Sequence, residues 1–412
     1  MAPELDLRRF NAARPPVVVL GGLNVTRACG LAGLPVIVAA AEAESPVFLS
    51  RYCAGALLLP PLAQTDAVGE KLMRLGERLS RALGRAVPLF YGNDDYLNVM
   101  LQNRGRLSQH FRFVVNEPEV AAALIDKERF DAFTRARHLP VPRMLEWDEA
   151  AAFEGPVLVK PKLKIAYEQT AVYLRLFGGA GKARVFASGR DLAASSLAFA
   201  LRGELVLQEY VPGSDREIWS FHGFADERSR VLTWFTGRKI RTWPAFTGQS
   251  SYLELAHHEA LAELGHRIVA QAPLKGVFKI DFKRDPHSGR FYMLEVNARF
   301  NLWHYLAAAN GLSVPRVAYD YLLEGRTPGT PPRFGTSVRW LHFKHDWRAY
   351  RELAARGELG LLRWAASLVL SRKVHELFAW SDPVPWAVHC IRRLRRLPRL
   401  TSRLRRWLFT AS

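Results

Sequence analysis

The stretch GVFKIDFKRDPHSGRFYMLEVNARFN, residues 276–301, constrains the fold of this chain more than any other. Two runs of alternating residues flank a cluster of turn formers at 285–289, which predicts a β-hairpin. Side chains alternate between the two faces of a strand, so Asp281 points away from the apolar face of the first strand. By the same rule, Glu295 and Asn297 share the polar face of the second strand.

The other face of the predicted hairpin is apolar. We expect it to carry Phe278, Ile280 and Phe282 from the first strand and Tyr292, Leu294 and Val296 from the second. A turn that joins residues 284 and 290 would make Asp281 and Glu295 diagonal neighbours on the polar face.

Two carboxylates and a carboxamide, with Arg299 just beyond them, form a site of hard oxygen ligands. Mg²⁺ prefers such a site, because it takes a few carboxylate oxygens and completes its octahedron with water and phosphate. An exposed polar face of an antiparallel sheet would give the same pattern. The motif D-F…L-E-x-N-x-R resembles the metal-binding hairpin of the ATP-grasp superfamily, whose enzymes activate a carboxylate as an acyl phosphate.

The chain has 412 residues, of which 49% are hydrophobic, so we expect an α/β protein of two or three domains. Apolar strands at 17–20, 35–39, 56–59 and 87–91 and a helix at 66–84 predict a Rossmann-like N-terminal domain, residues 1–117. It resembles the domain that precedes ATP-grasp modules. The resemblance implies a two-lobed ATP-grasp core at 118–330 and leaves a basic helical extension at 331–412.

Two lysines match the family positions that contact nucleotide phosphates. Lys127 follows Asp126 at the start of a helix, and Lys160 ends the apolar strand 157–160. A lysine fixed at a strand end is a compact charge suited to phosphate oxygens. Family members usually carry a glycine-rich lid directly after the second lysine. Here the glycines come later, at 178–181, so the resemblance leaves open whether that run is the lid.

The stretch LVLQEYVPG, residues 205–213, resembles the hinge between the two ATP-grasp lobes. The resemblance implies that backbone groups near Glu209, Tyr210 and Val211 contact adenine, and that Glu209 or Glu217 takes the ribose hydroxyls. A buried strand followed by a turn would show the same hydrophobicity.

Cations precede the hairpin in the stretch GRKIR, residues 237–241. Three cations in four residues on an otherwise apolar strand favour an anion site, and we expect Arg241 to face the phosphates together with Arg299. A solvated edge strand is the alternative.

The C-terminal region is strongly basic. Residues 333–412 hold 17 Lys and Arg against 5 Asp and Glu, out of a formal net charge of +19 for the chain. Residues 391–409 carry eight arginines, interleaved with leucines and Trp407, and no acid. Such a segment suits an anionic bilayer. A helix packed on the protein is the alternative, and nucleic acid is a less favoured partner.

These features predict an ATP- and Mg²⁺-dependent carboxylate–amine ligase that forms an acyl phosphate and releases ADP and phosphate, with Mn²⁺ as the alternative cation. The metal would bind Asp281, Glu295 and Asn297. Three cysteines far apart in sequence and no apolar leader favour a cytoplasmic protein, peripheral at the inner membrane face. The rival interpretations are a non-catalytic ATP-binding or membrane-associated scaffold and a nucleic-acid-binding protein. The sequence identifies neither the substrates nor the oligomeric state.

Overall fold

The computed structural model describes residues 5–162, 170, 172–178, 183–246 and 248–394, without the side chains of Lys127 and Glu128. Backbone contacts divide the chain into two units. The first comprises the described residues of Met1–Arg112 and Val374–Ser412, and the second is Phe113–Lys373.

The first unit contains a five-stranded parallel sheet in the order β3-β2-β1-β4-β5. Its strands are β1 Val17–Leu20, β2 Val36–Ala40, β3 Cys53–Leu58, β4 Val87–Tyr91 and β5 Phe111–Arg112. Its helices are α1 Leu23–Leu31, α2 Thr65–Leu83, α3 Asp94–Gln102 and α4 Arg104–Leu107. All residues of β1, β2 and β4 are buried, as expected for a parallel sheet covered on both faces. The predicted Rossmann-like α/β fold is confirmed.

The C-terminal residues of the first unit are held by a buried ion pair. Nε of Arg27 in α1 lies 2.9 Å from Oδ2 of Asp382, and the same guanidinium donates to the carbonyl oxygens of Glu376 and Leu377. Asp382 also accepts from the Ser50 hydroxyl at 2.8 Å. With the Arg51 N–H, which donates to Oδ1 at 2.8 Å, the Asp382 carboxylate accepts three hydrogen bonds that hold residues 376–382 in this unit. A further helix, α15, covers 384–394.

The second unit begins with α5 Pro118–Ile125 and α6 Lys127–Ala136 and continues into a small lobe. The small lobe is a four-stranded antiparallel sheet in the order β6-β9-β7-β8. Its strands are β6 Met144–Leu145, β7 Val157–Pro161, β8 Arg184–Phe186 and β9 Leu205–Glu209, and its helices are α7 Trp147–Ala152, α8 Gly189–Ala193 and α9 Ser196–Ala200. Val157, Val159 and Leu207 form the centre of its core.

The large lobe is a seven-stranded sheet in the order β14-β13-β10-β11-β12-β15-β16. Its strands are β10 Ile218–Ala225, β11 Val231–Trp243, β12 Gln249–Leu255, β13 Gly276–Arg284, β14 Phe291–Asn297, β15 Val338–Leu341 and β16 Arg372–His375. Its helices are α10 Glu259–Gln271, α11 Leu302–Ala309, α12 Val314–Glu324, α13 Phe343–Ala355 and α14 Leu361–Val369. Gly237 of β11 allows α11 to pack closely against the sheet, because a Cβ at this position would lie 2.5 Å from the ring of Trp303 in α11.

The units do not follow the expected boundary at residue 331. β15 pairs with β12 through Tyr252 and Leu341, and α13 and α14 pack beside it, so this part of the basic region belongs to the sheet of the large lobe. The residues from Val374 onward belong to the first unit. Residues 395–412 of the predicted tail lie outside the described residues.

Candidate active site

The hairpin forms where the sequence predicts it, with a register that differs from the expected one. Asp281 lies directly opposite Glu295, and Phe282 lies opposite Met293, so Leu294 is the extra residue of a β-bulge. Past the bulge the alternation of β14 is reversed. Met293 is therefore the buried residue, and the expected common face of Tyr292, Leu294 and Val296 is wrong.

Directly opposite residues of an antiparallel sheet point to the same side. Ser220 of β10 pairs with Asp281, which pairs with Glu295, while His222 pairs with Lys279, which pairs with Asn297. One side of the large lobe therefore carries a polar face that consists of Ser220, Lys239, Lys279, Asp281, Lys283, Glu295 and Asn297. The Ser220 hydroxyl donates a short hydrogen bond to Oδ1 of Asp281, which fixes that carboxylate on the sheet.

Lys279 is the residue of the polar face that sequence reasoning missed. Its ammonium lies 2.6 Å from Oδ2 of Asp281. Burial lowers the pKa of Lys279 and the charge of Lys239 adds to this effect, while Asp281 and Glu295 oppose it. Strand alternation alone places residue 279 on the same face as Asp281, so the signal was present in the sequence.

Lys283 joins the polar face to the segment after β9. Its Nζ donates to the carbonyl oxygens of Gly213 at 2.6 Å and Ser214 at 2.8 Å. Burial lowers the pKa of Lys283 to about 8, with Asp215 and Glu217 opposing the shift. The hinge residues and the hairpin are therefore tied together by one buried ammonium group.

The donors expected to hold the metal lie together. Asp281 faces Glu295 across the ladder, and Nδ2 of Asn297 donates to Oε1 of Glu295 at 3.1 Å. No group of three or more His, Cys, Asp or Glu side chains that could hold a metal ion occurs in the described part of the chain. A set of two carboxylates and one amide fits Mg²⁺, which keeps several ligand positions for water and phosphate.

Of the two lysines expected to contact phosphate, the structure describes the side chain of Lys160 but not that of Lys127. Nζ of Lys160, on β7, lies 2.8 Å from Oε1 of Gln208 on β9, which points the lysine across the small-lobe sheet. Lys127 is the first residue of α6, and its side chain lies outside the described residues. So do Gly179 and Gly181 of the expected lid.

The predicted hinge follows β9, and its backbone donors are partly used. The N–H of Glu209 donates to the Arg143 carbonyl at 2.9 Å, and the N–H of Tyr210 donates to the Pro156 carbonyl at 3.1 Å. An adenine edge would therefore meet carbonyl groups here, or the N–H of Val211.

Glu217 carries an unpaired oxygen in a buried position. Its Oε2 has no hydrogen-bond partner among the described residues, and it forms only a long ion pair, 3.7 Å, with Nε of Arg284. A buried carboxylate oxygen without a donor is costly unless a ligand supplies one. Glu217 rather than Glu209 has the environment expected of a ribose ligand.

Arg241 does not face an anion site, contrary to expectation. Its Nε and Nη2 bind the two carboxylate oxygens of Asp346 in α13 at 2.8 and 2.9 Å, and both side chains are buried. Asp346 also accepts from Nε1 of Trp364 at 2.9 Å. The guanidinium of Arg241 is thus a structural link between β11, α13 and α14.

Arg299 lies just beyond β14, beside the N-terminus of α11. Its charge, together with that of Lys279, contributes to a low pKa for His304, about 3, of which burial is the main cause. His222 stacks on Phe235 at 4.5 Å, and burial also lowers its pKa. Burial therefore favours the neutral form of both imidazoles.

The second unit thus combines a small and a large antiparallel lobe, and the large lobe carries a carboxylate pair beside lysines. The model of a family described as "ATP-grasp in the biosynthetic pathway with Ter operon" matches residues 204–343, which include every residue of the polar face. Residues 204–343 of the chain are therefore similar to ATP-grasp proteins.

One characterised relative and several solved structures are similar to this chain. A D-aspartate ligase of Enterococcus faecium is 22% identical over 278 residues, which cover 64% of this chain and 65% of that protein. The match therefore spans less than two thirds of the relative. An L-amino acid ligase of Bacillus licheniformis has 13% identity and a TM-score of 0.53 over 75% of this chain and 74% of its own. Biotin carboxylase of Campylobacter jejuni has 14% identity and a TM-score of 0.54, and the match covers 79% of this chain and 74% of that protein's chain.

Proposed function

We propose that this protein is an ATP- and Mg²⁺-dependent ligase that joins a carboxylate to an amine and releases ADP and phosphate. The observation that carries the proposal is the placement of Asp281, Glu295 and Asn297 beside the Lys279 ammonium on one face of the large lobe. The class of relative supports it, because the matched proteins include a D-aspartate ligase and an L-amino acid ligase.

In this proposal the carboxylate oxygen of the first substrate attacks the γ-phosphorus of ATP, and the bond to the leaving ADP oxygen breaks. The amine nitrogen then attacks the acyl carbon of the acyl phosphate, the carbon–oxygen bond to phosphate breaks, and the nitrogen loses a proton. Mg²⁺ held by Asp281, Glu295 and Asn297 would neutralise the charge of the phosphates.

The residues of this chain bind and orient the reacting groups. Lys279, next to Asp281, and Arg299 supply positive charge where the transferred phosphoryl group would lie, and Lys127 and Lys160 bind the remaining phosphates. Glu217 takes the ribose hydroxyls, and the hinge at Tyr210 and Val211 holds adenine. No nucleophilic side chain is needed, since both attacking atoms belong to substrates.

The test is nucleotide analysis of a turnover mixture. The protein, ATP and Mg²⁺ are incubated with a panel of amino acids that includes D-aspartate as the acid and simple amines as acceptors. The proposal expects ADP and phosphate to accumulate only when both substrates are present. AMP and pyrophosphate as the products would overturn it, and nucleotide binding with no product for any pair would favour a non-catalytic scaffold.

A second proposal concerns location. The arginine-rich residues 391–412 would hold the protein against an anionic membrane, with Trp407 in the interface. Among the described residues, no helix combines the length and the hydropathy needed to cross a bilayer. Sedimentation with anionic vesicles, which should weaken when the chain ends at residue 390, tests this proposal.

A further inference from the structure

Helix α14 of the second unit has one face fixed to the protein and the opposite face exposed. The inner face is held by Trp364, whose Nε1 donates to Asp346, and by Ser367, whose Oγ accepts from Arg241 at 3.0 Å. Leu368 packs on the cluster of Ile240 and Tyr252. The rotation of the helix about its own axis is therefore fixed.

The exposed face is apolar. At about 100° per residue, Leu362, Ala366 and Val369 lie on one side of α14, opposite Trp364, and Leu370 follows at the helix end. Leu362 is 85% exposed, and Val369 and Leu370 are each 81% exposed. We call the surface formed by Leu361, Leu362, Ala366, Val369 and Leu370 the apolar ridge. Apolar side chains this exposed and this close together mark an interaction surface.

Cations outnumber acids around the apolar ridge, and the exposed Glu358 and Glu376 lie just outside the stretch that holds the cations. Residues 359–375 contain Arg363, Arg372 and Lys373 and no acidic residue. Arg363 and Arg372 are exposed at the two ends of the ridge. An apolar helical face flanked by arginines is the pattern of helices that lie in the interface of an anionic membrane, with side chains among the acyl chains and guanidinium groups among the phosphates.

We propose that the apolar ridge of α14 docks on an anionic lipid surface. A second copy of the chain is disfavoured, because it would bring the same arginines together. Residues 395–412 are disfavoured as a cover for the ridge by the same argument, since they hold six arginines and no acid. The inference rests on described residues alone and does not depend on the ligase chemistry.

The test compares binding of the full chain to vesicles of phosphatidylcholine with and without about a quarter of phosphatidylglycerol. The double variant Leu362→Ser, Val369→Ser should bind the anionic vesicles at least about tenfold more weakly than wild type. The control is Leu31→Ser, an exposed leucine at the end of α1, which should bind as wild type does. ATP binding measured on all three proteins shows that the variants are folded.

A second variant tests the charges. Arg363→Gln with Arg372→Gln should weaken binding roughly tenfold at low salt and less at about 0.15 M salt, whereas Arg74→Gln in α2 should change nothing. A chain that ends at residue 394 should still bind anionic vesicles, and the substitutions Leu362→Ser and Val369→Ser in that shortened chain should abolish the binding. Unchanged vesicle binding of the ridge variant, no binding of any form, or a wild-type dimer that the ridge variant dissolves would overturn the proposal.

Discussion

Asp281 and Glu295 lie directly opposite each other on β13 and β14, and the Ser220 hydroxyl and the Lys279 ammonium hold Asp281 in place. This arrangement places Glu295 beside a second carboxylate, the amide of Asn297 and the charge of Lys279. A divalent cation between the two carboxylates would relieve their repulsion, which is the physical reason to expect metal-dependent nucleotide binding here.

Glu295→Gln should therefore reduce turnover by about a thousandfold or more while the fold stays intact, because it removes a metal ligand and no core contact. Calorimetry should show that the Mg²⁺ dependence of ATP binding is also lost. Glu70→Gln, an exposed carboxylate in α2, is the matched control and should behave as wild type. Wild-type turnover in Glu295→Gln would mean that this hairpin does not bind the metal.

Glu217 is expected to recognise the ribose. Its unpaired Oε2 can accept from a hydroxyl, and a hydrogen bond to a charged group is worth about 1.5–3 kcal/mol. Wild type should therefore bind ATP about 10- to 100-fold more tightly than 2′,3′-dideoxy-ATP, and Glu217→Gln should lose most of this preference. If wild type and Glu217→Gln prefer ATP over 2′,3′-dideoxy-ATP to the same extent, another residue binds the ribose hydroxyls.

Lys283 should make nucleotide affinity depend on pH. Its pKa is lowered to about 8, so the ammonium that holds the carbonyl groups of Gly213 and Ser214 loses its charge as the pH rises past that value. Charge-assisted hydrogen bonds are about twice as strong as neutral ones. The KM for ATP should therefore rise severalfold above about pH 8 in wild type, with a smaller change in kcat.

Lys283→Met should show a raised KM for ATP at every pH and no step near pH 8. Lys283→Arg, whose charge persists to high pH, should keep a flat profile too, at a KM closer to that of wild type. A step that persists in Lys283→Met would assign the titration to another group.

The buried ion pair of Arg241 and Asp346 should stabilise the fold and should not take part in ATP binding. Removing one partner of such a pair costs about 3–5 kcal/mol, whereas an exposed pair is worth at most about 1 kcal/mol. Arg241→Gln should lower the free energy of unfolding in urea by that larger amount, and Arg81→Gln should hardly change it. The folded Arg241→Gln variant should bind ATP with an affinity within about twofold of wild type. If the variant has normal stability but no longer binds ATP, Arg241 contacts the phosphates after all.

Much of the fold was predictable because its signals are local. β1 and β4 begin and end at the predicted residues, since continuous apolar runs bounded by Gly or Pro define buried strands without tertiary information. The hairpin strands β13 and β14 were predictable from the alternation of residues on either side of the turn formers at 285–289. The bulge at Leu294 was not, because a bulge on an edge strand follows from its neighbours, such as the bond from the Met293 N–H to the Pro140 carbonyl at 2.6 Å.

The site was predictable only where side-chain alternation decides the outcome. Alternation within the hairpin places Asp281 with Glu295 and Asn297, and it would have placed Lys279 there as well, whereas Ser220 lies 61 residues away from Asp281. The role expected of Arg241 failed because its partner, Asp346, is 105 residues away in the chain. Likewise, no local pattern indicates that Asp382 pairs with Arg27 across 355 residues.

The central claim, activation of a carboxylate by phosphoryl transfer from ATP, is tested most directly by following oxygen. The acid that stimulates ADP release is labelled with ¹⁸O in its carboxylate, and the phosphate released during turnover is examined by ³¹P NMR. The proposed mechanism predicts that one labelled oxygen per turnover appears in inorganic phosphate. Label in AMP, or unlabelled phosphate at full product yield, would contradict it.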